Sequence, residues 1–532
     1  MQLISFILFT LGVLVVTMYL TRKDDHDSSD GYFLGGRTLG AGVICGSLLL
    51  TNLSTEQIIG LTAGAYKEGL IVMAWEVLSA VSIVLLAVYF LPKFLNRGIT
   101  TAPEFLEARF DKDVRFYVSI LFLFGYAGIF LPVVLFTGAT ALIGIFNLTE
   151  VLGLTQIQAL WLTVWGIGIV GSIYAIYGGL KAVAVSDTFN GIGLLIGGLI
   201  IPYLGLKACG DGSVLEGINA LTAAHPEKFT VKGSDKSDLP WQTIFTGLFV
   251  ITTFYWCTNQ AIIQRALGAK SLKEGQKGVL MCAFIKIFVP IIVVLPGIIA
   301  LHLYSDIIPL KEAADGTMDK DVNQAYGIMV DKLLPGWMSG FFAAVIFGAI
   351  LSSFNSALNS AGTLFSLDIY KVKINPEADE QKQVKVGRNF SIIMAVIAMS
   401  SAPLLISAKG IFNYLQMCNT IYMVPIFCLF IAGFFSKRVT APMAKAGLFT
   451  ALGLNILFTL LENTKVVEVH WLHRAGGVFV FTLALMFAFR GEEKKVETKL
   501  PKNYDITPWK HANKVGLGIV IFIIGIYAML WK

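Results

Sequence analysis

Three ionisable side chains, Glu56, Glu76 and Lys286, sit inside stretches that are otherwise apolar. An ionised group at the centre of a bilayer costs at least ~2.5–3.5 kcal/mol on insertion scales, so such groups pair with one another or line a polar path. The plain alternative is a buried Glu–Lys ion pair that only fixes helix packing. A polar cavity accounts for more of the neighbourhood. Gln57 adjoins Glu56, and Ser79 lies one helical turn beyond Glu76, so amide, hydroxyl and carboxylate groups collect at similar depth. That chemistry suits a polyhydroxylated solute, whose hydroxyls are met by amides and charged groups and whose ring face stacks on an aromatic. Trp75, Tyr255, Trp256 and Phe412 could supply the stack, although a single membrane aromatic more often packs or anchors at an interface.

A second constellation suits a hard cation. The run Ala349-Ile350-Leu351-Ser352-Ser353-Phe354-Asn355-Ser356 places hydroxyls and an amide near the middle of a long apolar segment. Serine there can simply bond back to its own helix, which is the packing reading. Na⁺ seeks about five or six oxygens, which carbonyls freed by an interrupted helix and neighbouring hydroxyls can provide together. The polar interruption after Leu50 would offer such carbonyls if it met Ser352 and Ser353. Asp187, expected at the cytoplasmic edge of another span, could add a carboxylate or could cap a helix facing water.

The elements that position these residues are transmembrane helices. Of the 532 residues, 55% are hydrophobic and 14% charged, and apolar segments of spanning length recur along the whole chain. The formal charge of +6 falls in short loops and makes no stripe of the kind nucleic acid requires. Six scattered cysteines form no CxxC and no Cys/His pair, so they read as packing residues. The first apolar segment lacks a basic start and a cleavage site and reads as a retained helix. About fourteen spans are expected, near 2–20, 38–65, 70–92, 116–145, 159–179, 188–208, 241–267, 279–303, 337–366, 389–408, 411–435, 443–461, 473–489 and 514–531. If they alternate, the Lys/Arg-rich loops share one side, which places that side in the cytoplasm and both termini outside.

Two spans are interrupted by polar runs, Leu50 to Gln57 and Thr252 to Gln260, five spans apart. Paired interrupted helices in equivalent places mark the binding site of a transporter built as an inverted repeat, here of five plus five helices. There is no P-loop, GxSxG or HExxH, so no enzyme chemistry is expected, and uphill movement would need an ion gradient.

With these residues in view, the chain resembles the solute:sodium symporter family, in particular its bacterial sodium/glucose-galactose cotransporters. The resemblance rests on Gly31 to Arg37, Asn52 to Gln57, Tyr177-Gly178-Gly179-Leu180, Gln260 to Ser271, Lys286 to Gly297 and Asn359 to Tyr370. It implies an all-α, leucine-transporter-like fold. Residues 1–30 would be an extra helix and loop, 31–436 the transport core (repeats about 31–209 and 240–436), and 437–532 three further spans. It implies a Na⁺ site from the carbonyls of Leu50, Leu53 and Ala349 with the hydroxyls of Ser352 and Ser353. The second Na⁺ site of some relatives matches Asp187, Ser352, Asn355 and Ser356. Sugar contacts map to Gln57, Glu76, Ser79, Lys286 and Gln416, with Thr252 and Phe130 standing where the galactose transporters carry asparagines. The inner-gate aromatic maps to Tyr255 and the outer gate to Leu61, Trp75 and Phe412. The expected function is Na⁺-coupled sugar symport by alternating access in the cell (inner) membrane, with Na⁺, a sugar and the lipid bilayer as partners and no nucleic acid. An amino acid, vitamin or nucleoside is the alternative cargo, and a solute sensor or channel the alternative class.

Overall fold

The computed structural model describes residues 2–308, 320–407, 411–463, 469–488, 491 and 504–531. Much of the expected loops Ser305 to Gln324 and Arg490 to Lys514, and the expected span ends at 408 and 489, lie outside the described residues. Among the described residues the regular structure is helical apart from an isolated bridge between Leu39 and Ala269. In an apolar solvent every backbone group must bond internally, and helices do this within one segment.

The elements used below are α1 (Gln2–Thr21), α2 (Ala41–Asn52), α3 (Thr55–Glu68), α4 (Ala74–Leu85), α5 (Leu131–Phe146) and α6 (Gln156–Cys209). They continue with α7 (Gly247–Cys257), α8 (Gln260–Leu267), α9 (Leu272–Lys286), α10 (Ala325–Leu333), α11 (Gly336–Thr363) and α12 (Ile411–Phe435).

Ten helices among the described residues are long and apolar enough to cross a membrane, or up to eleven if the pair Leu272–Lys286 and Pro290–Tyr304, bent by 44°, is one span. This differs from the fourteen expected because helix boundaries and span boundaries do not coincide. Helical structure continues over Thr55–Leu95, across the gap expected between two spans, with its ladder interrupted at Gly69 (φ 72°, ψ −144°). The 54-residue α6 holds two expected spans, with its ladder interrupted at Gly179 (φ 60°, ψ −172°). A Cβ there would lie 2.9 Å from the Tyr32 carbonyl, so both the backbone angle and the close approach require glycine. Conversely, α2 and α7 are too short to span alone.

The helix α11 is the buried centre, packed against α6, α2 and α5. In contrast α1 exposes large apolar side chains along its length, with Leu8 68% and Met18 63% accessible, as a lipid-facing helix does. The basic loops expected on one side are tied to one another. Lys181 pairs with Asp24 (2.5 Å), Lys373 with Asp113 (2.7 Å), and Lys445 with Asp111 (2.9 Å). Arg115 joins Glu107 (2.6 Å) to the buried Asp368, its Nε donating at 2.8 Å.

Candidate functional site

The first interruption falls between α2 and α3, where Leu53 (φ −79°, ψ 66°) and Ser54 (φ −95°, ψ −179°) leave helical geometry. In a continuous helix the amides of Ser54 and Gln57 would bond the carbonyls of Leu50 and Leu53. Here the Ser54 amide donates to Asn52 (2.9 Å) and that of Gln57 to Ser54 (3.2 Å), so both carbonyls are released from the ladder. Against this break lies α11. The Ser353 hydroxyl donates to the Thr51 carbonyl (3.0 Å), and Thr51 and Ser356 share a hydroxyl contact of 3.2 Å. The Ser352 hydroxyl is buried without a hydrogen-bond partner among the described residues. Ala349 sits in the unbroken α11, where a helical carbonyl retains one further lone pair. The cation constellation read from the sequence therefore assembles from two elements some 300 residues apart along the chain.

Beside it lies a polar cluster to which the sequence assigned too little. Asp187 is 1% exposed, in the interior rather than at a cytoplasmic edge, and accepts from Ser47 (2.6 Å). The fully buried Arg265 of α8 donates to Ser47 (2.9 Å), to the Ala261 carbonyl and to Ser356, and its guanidinium lies 3.8 Å from Asp187. Of the residues matched to a second ion site, Asp187 and Ser356 thus meet through Arg265, while the Asn355 side-chain oxygen is buried without a partner among the described residues. Arg265 could have been suspected, since a basic residue near the end of an apolar span needs acceptors.

A cavity of about 740 Å³, its open side included, lies between the two interrupted helices and α12. Gln57, Ser79, Thr252, Tyr255 and Gln416 line it, as do Trp75 and Phe412, whose rings meet edge to face at 5.5 Å. Phe130 and Thr252, the two departures from the galactose pattern, are both on its wall. Three residues matched to the solute site and its gate are not in this lining. Glu76 and Lys286 do not line the cavity: they are 0% exposed and paired with each other, and Lys286 also donates to the Asn52 side chain. Asn52 then presents to the cavity, so the pair acts one layer behind. Leu61 is buried and likewise absent from the lining.

Several wall residues escaped the sequence. Asn259 lies in the second interruption, accepting from the Tyr126 hydroxyl (2.7 Å) and from the Ala261 amide (3.0 Å). Asn419 and Tyr422 project from α12 into the same space. Trp471, from a helix beyond the expected core, stacks on Trp75 at 6.3 Å and 13°. An asparagine inside a polar run is a legible signal, whereas nothing in sequence ties Trp471 to Trp75.

Residues 32–451 match the Sodium:solute symporter family. The "Uncharacterized symporter YidK" of Escherichia coli (strain K12) is 44% identical, covering 100% of this chain and 91% of the relative. The sodium/glucose cotransporter of Vibrio parahaemolyticus is 30% identical, covering 100% and 98%. The human sodium/myo-inositol cotransporter 2 is 29% identical, covering 86% and 69%. Among solved structures, a substrate-bound, outward-open Na⁺-coupled sialic acid symporter shares the fold with a TM-score of 0.75 at 21% identity, over 93% of this chain and 99% of that one. The chain therefore belongs to the sodium:solute symporter family, as a multi-pass membrane transporter whose co-transported ion is Na⁺.

Proposed function

We propose that this symporter carries a neutral, polyhydroxylated solute, a hexose such as glucose or galactose, in the mid-membrane cavity. The observation behind this is the charge of the lining: amides, hydroxyls and aromatic faces with Glu56 as its acid and, among the described residues, no cationic side chain. A zwitterionic amino acid would need a partner for its carboxylate, and the nearby Lys286 is already held by Glu76 and Asn52. Relatives named for glucose and for myo-inositol favour the same class. Loss of the two asparagines, at Phe130 and Thr252, shifts preference among sugars away from galactose, because a hydroxyl left without a partner is penalised.

In this reading Na⁺ is held by the carbonyls of Leu50, Leu53 and Ala349 and the hydroxyls of Ser352 and Ser353. A second ion would use Asp187, Ser352, Asn355 and Ser356. Gln57, Ser79, Thr252, Tyr255 and Gln416 contact the solute, with Asn52 presenting the Glu76–Lys286 pair. Trp75 and Phe412, backed by Leu61, close the outer side and Tyr255 the inner one. The core is a five-plus-five inverted repeat within residues 31–436 in the cell (inner) membrane, with one span before it, three after it and both termini outside. Joining α2 to α3 and α7 to α8 as broken spans, taking Leu272–Lys286 with Pro290–Tyr304 as one span, and dividing the helical runs at Gly69 and Gly179 supports a count of fourteen.

The test is uptake of labelled hexoses, inositol and amino acids into proteoliposomes under an inward Na⁺ gradient or an equal K⁺ gradient. Na⁺-dependent accumulation of a hexose or polyol is expected, whereas accumulation of an amino acid alone would overturn the cargo. Na⁺ binding with no accumulation of any solute would leave a sensor.

A further inference from the structure

A second, larger cavity opens between α3, α5, α10 and α11, on the side assigned above as external. It shares Glu56 and Phe412 with the solute cavity but is otherwise lined by different residues. We infer that this cavity is an entry chamber for Na⁺, a site of cation passage leading to the ion site proposed above, on which the inference rests.

Its chemistry favours a hard cation. Among the described residues the charged side chains in the lining are Glu56 and Asp331, both acidic. Asp331 is exposed and pairs only loosely with its neighbour Lys332, at 3.6 Å. The Thr137 and Thr140 hydroxyls donate to the carbonyls of Val133 (2.9 Å) and Phe136 (2.8 Å), leaving oxygen lone pairs available for the cavity. Tyr326 borders the chamber, and its hydroxyl is buried without a hydrogen-bond partner among the described residues.

The register places its floor at the ion site. Ile346, on the wall, precedes Ala349 by one turn of α11, and Glu56 follows Leu53 by three residues across the break. A cation that sheds part of its hydration against these oxygens reaches the released carbonyls without crossing the aromatic pair Trp75 and Phe412. Acidic walls of low dielectric raise the local cation concentration and the association rate.

The test follows Na⁺ alone, by stopped-flow tryptophan fluorescence of protein in lipid nanodiscs with choline as the balancing ion. Thr140, an exposed wall position, is replaced as Thr140→Cys and labelled with a trimethylammonium methanethiosulfonate or with its small neutral analogue. Labelled wild type controls for Cys209 and Cys418, which are half-buried. The cationic label is expected to slow Na⁺ association roughly tenfold and the neutral one less than twofold. Asp331→Asn is expected to slow association by a smaller factor that vanishes at high ionic strength. Association unchanged by the cationic label would overturn the entry chamber while leaving the symport reading intact. Wild type that shows no Na⁺ response would instead count against the proposed ion site itself.

Discussion

The two interrupted helices look alike in sequence and differ in what meets their broken backbones. Between α7 and α8 the loose amides are taken up locally, while the Tyr255 and Cys257 carbonyls leave the ladder. The amides of Thr258 and Asn259 both donate to the Phe254 carbonyl (2.9 and 3.1 Å), and the Asn259 side chain caps Ala261 while holding Tyr126. Between α2 and α3 the carbonyls of Leu50 and Leu53 are released, and α11 brings hydroxyls to them. An interruption therefore does not by itself make an ion site. What matters is whether another element brings side-chain oxygens up to the freed carbonyls, as α11 does at the first break.

The largest effect expected at the first break comes from its anchor. Lys286→Met should destabilise the protein by about 3–5 kcal/mol by stranding Glu76 without its cation, read as a lower midpoint of thermal unfolding in detergent. Adding Glu76→Gln should recover most of the loss. A Lys286→Met protein as stable as wild type would mean that the pair does not hold this break together. Next, Ser353→Ala should weaken Na⁺ affinity by at least about tenfold, the equivalent of ~1.4 kcal/mol, in tryptophan fluorescence titrations. Asn259→Ala sharpens the contrast. It removes a cap at the second break and should cost about 1 kcal/mol of stability while shifting Na⁺ affinity by less than about twofold. If Asn259→Ala moved Na⁺ affinity as far as Ser353→Ala, the two breaks would not differ as described.

Smaller effects fall on the solute side. Gln57→Ala should weaken solute affinity by roughly threefold to tenfold, as expected for one hydrogen bond, and leave Na⁺ affinity within about twofold. Thr252→Asn, restoring an amide to the second broken helix, should change the ratio of galactose to glucose uptake by only a few-fold, since one added polar contact in an open pocket is worth about 1 kcal/mol. An unchanged ratio would remove Thr252 from the determinants of selectivity.

By itself the sequence determined that the chain lives in a bilayer, which segments are apolar, where two of them break, and which unusual side chains lie at depth. Each of these follows from composition and spacing along a single helix. Glu76 and Lys286 were visible as costly charges, and Leu50 to Gln57 as a break that needs partners. Only the tertiary structure decided that Lys286 spends its charge on Glu76 and Asn52 behind the cavity, that Asp187 lies inside against Ser47 and Arg265, and that Asn259 caps the Ala261 amide at the second break. The reason is physical. Hydropathy fixes how deep a side chain sits, but which oxygen faces which donor depends on how each helix is rotated and tilted against its neighbours. That is set by packing between residues such as Thr51 and Ser353, which no local pattern in the chain relates.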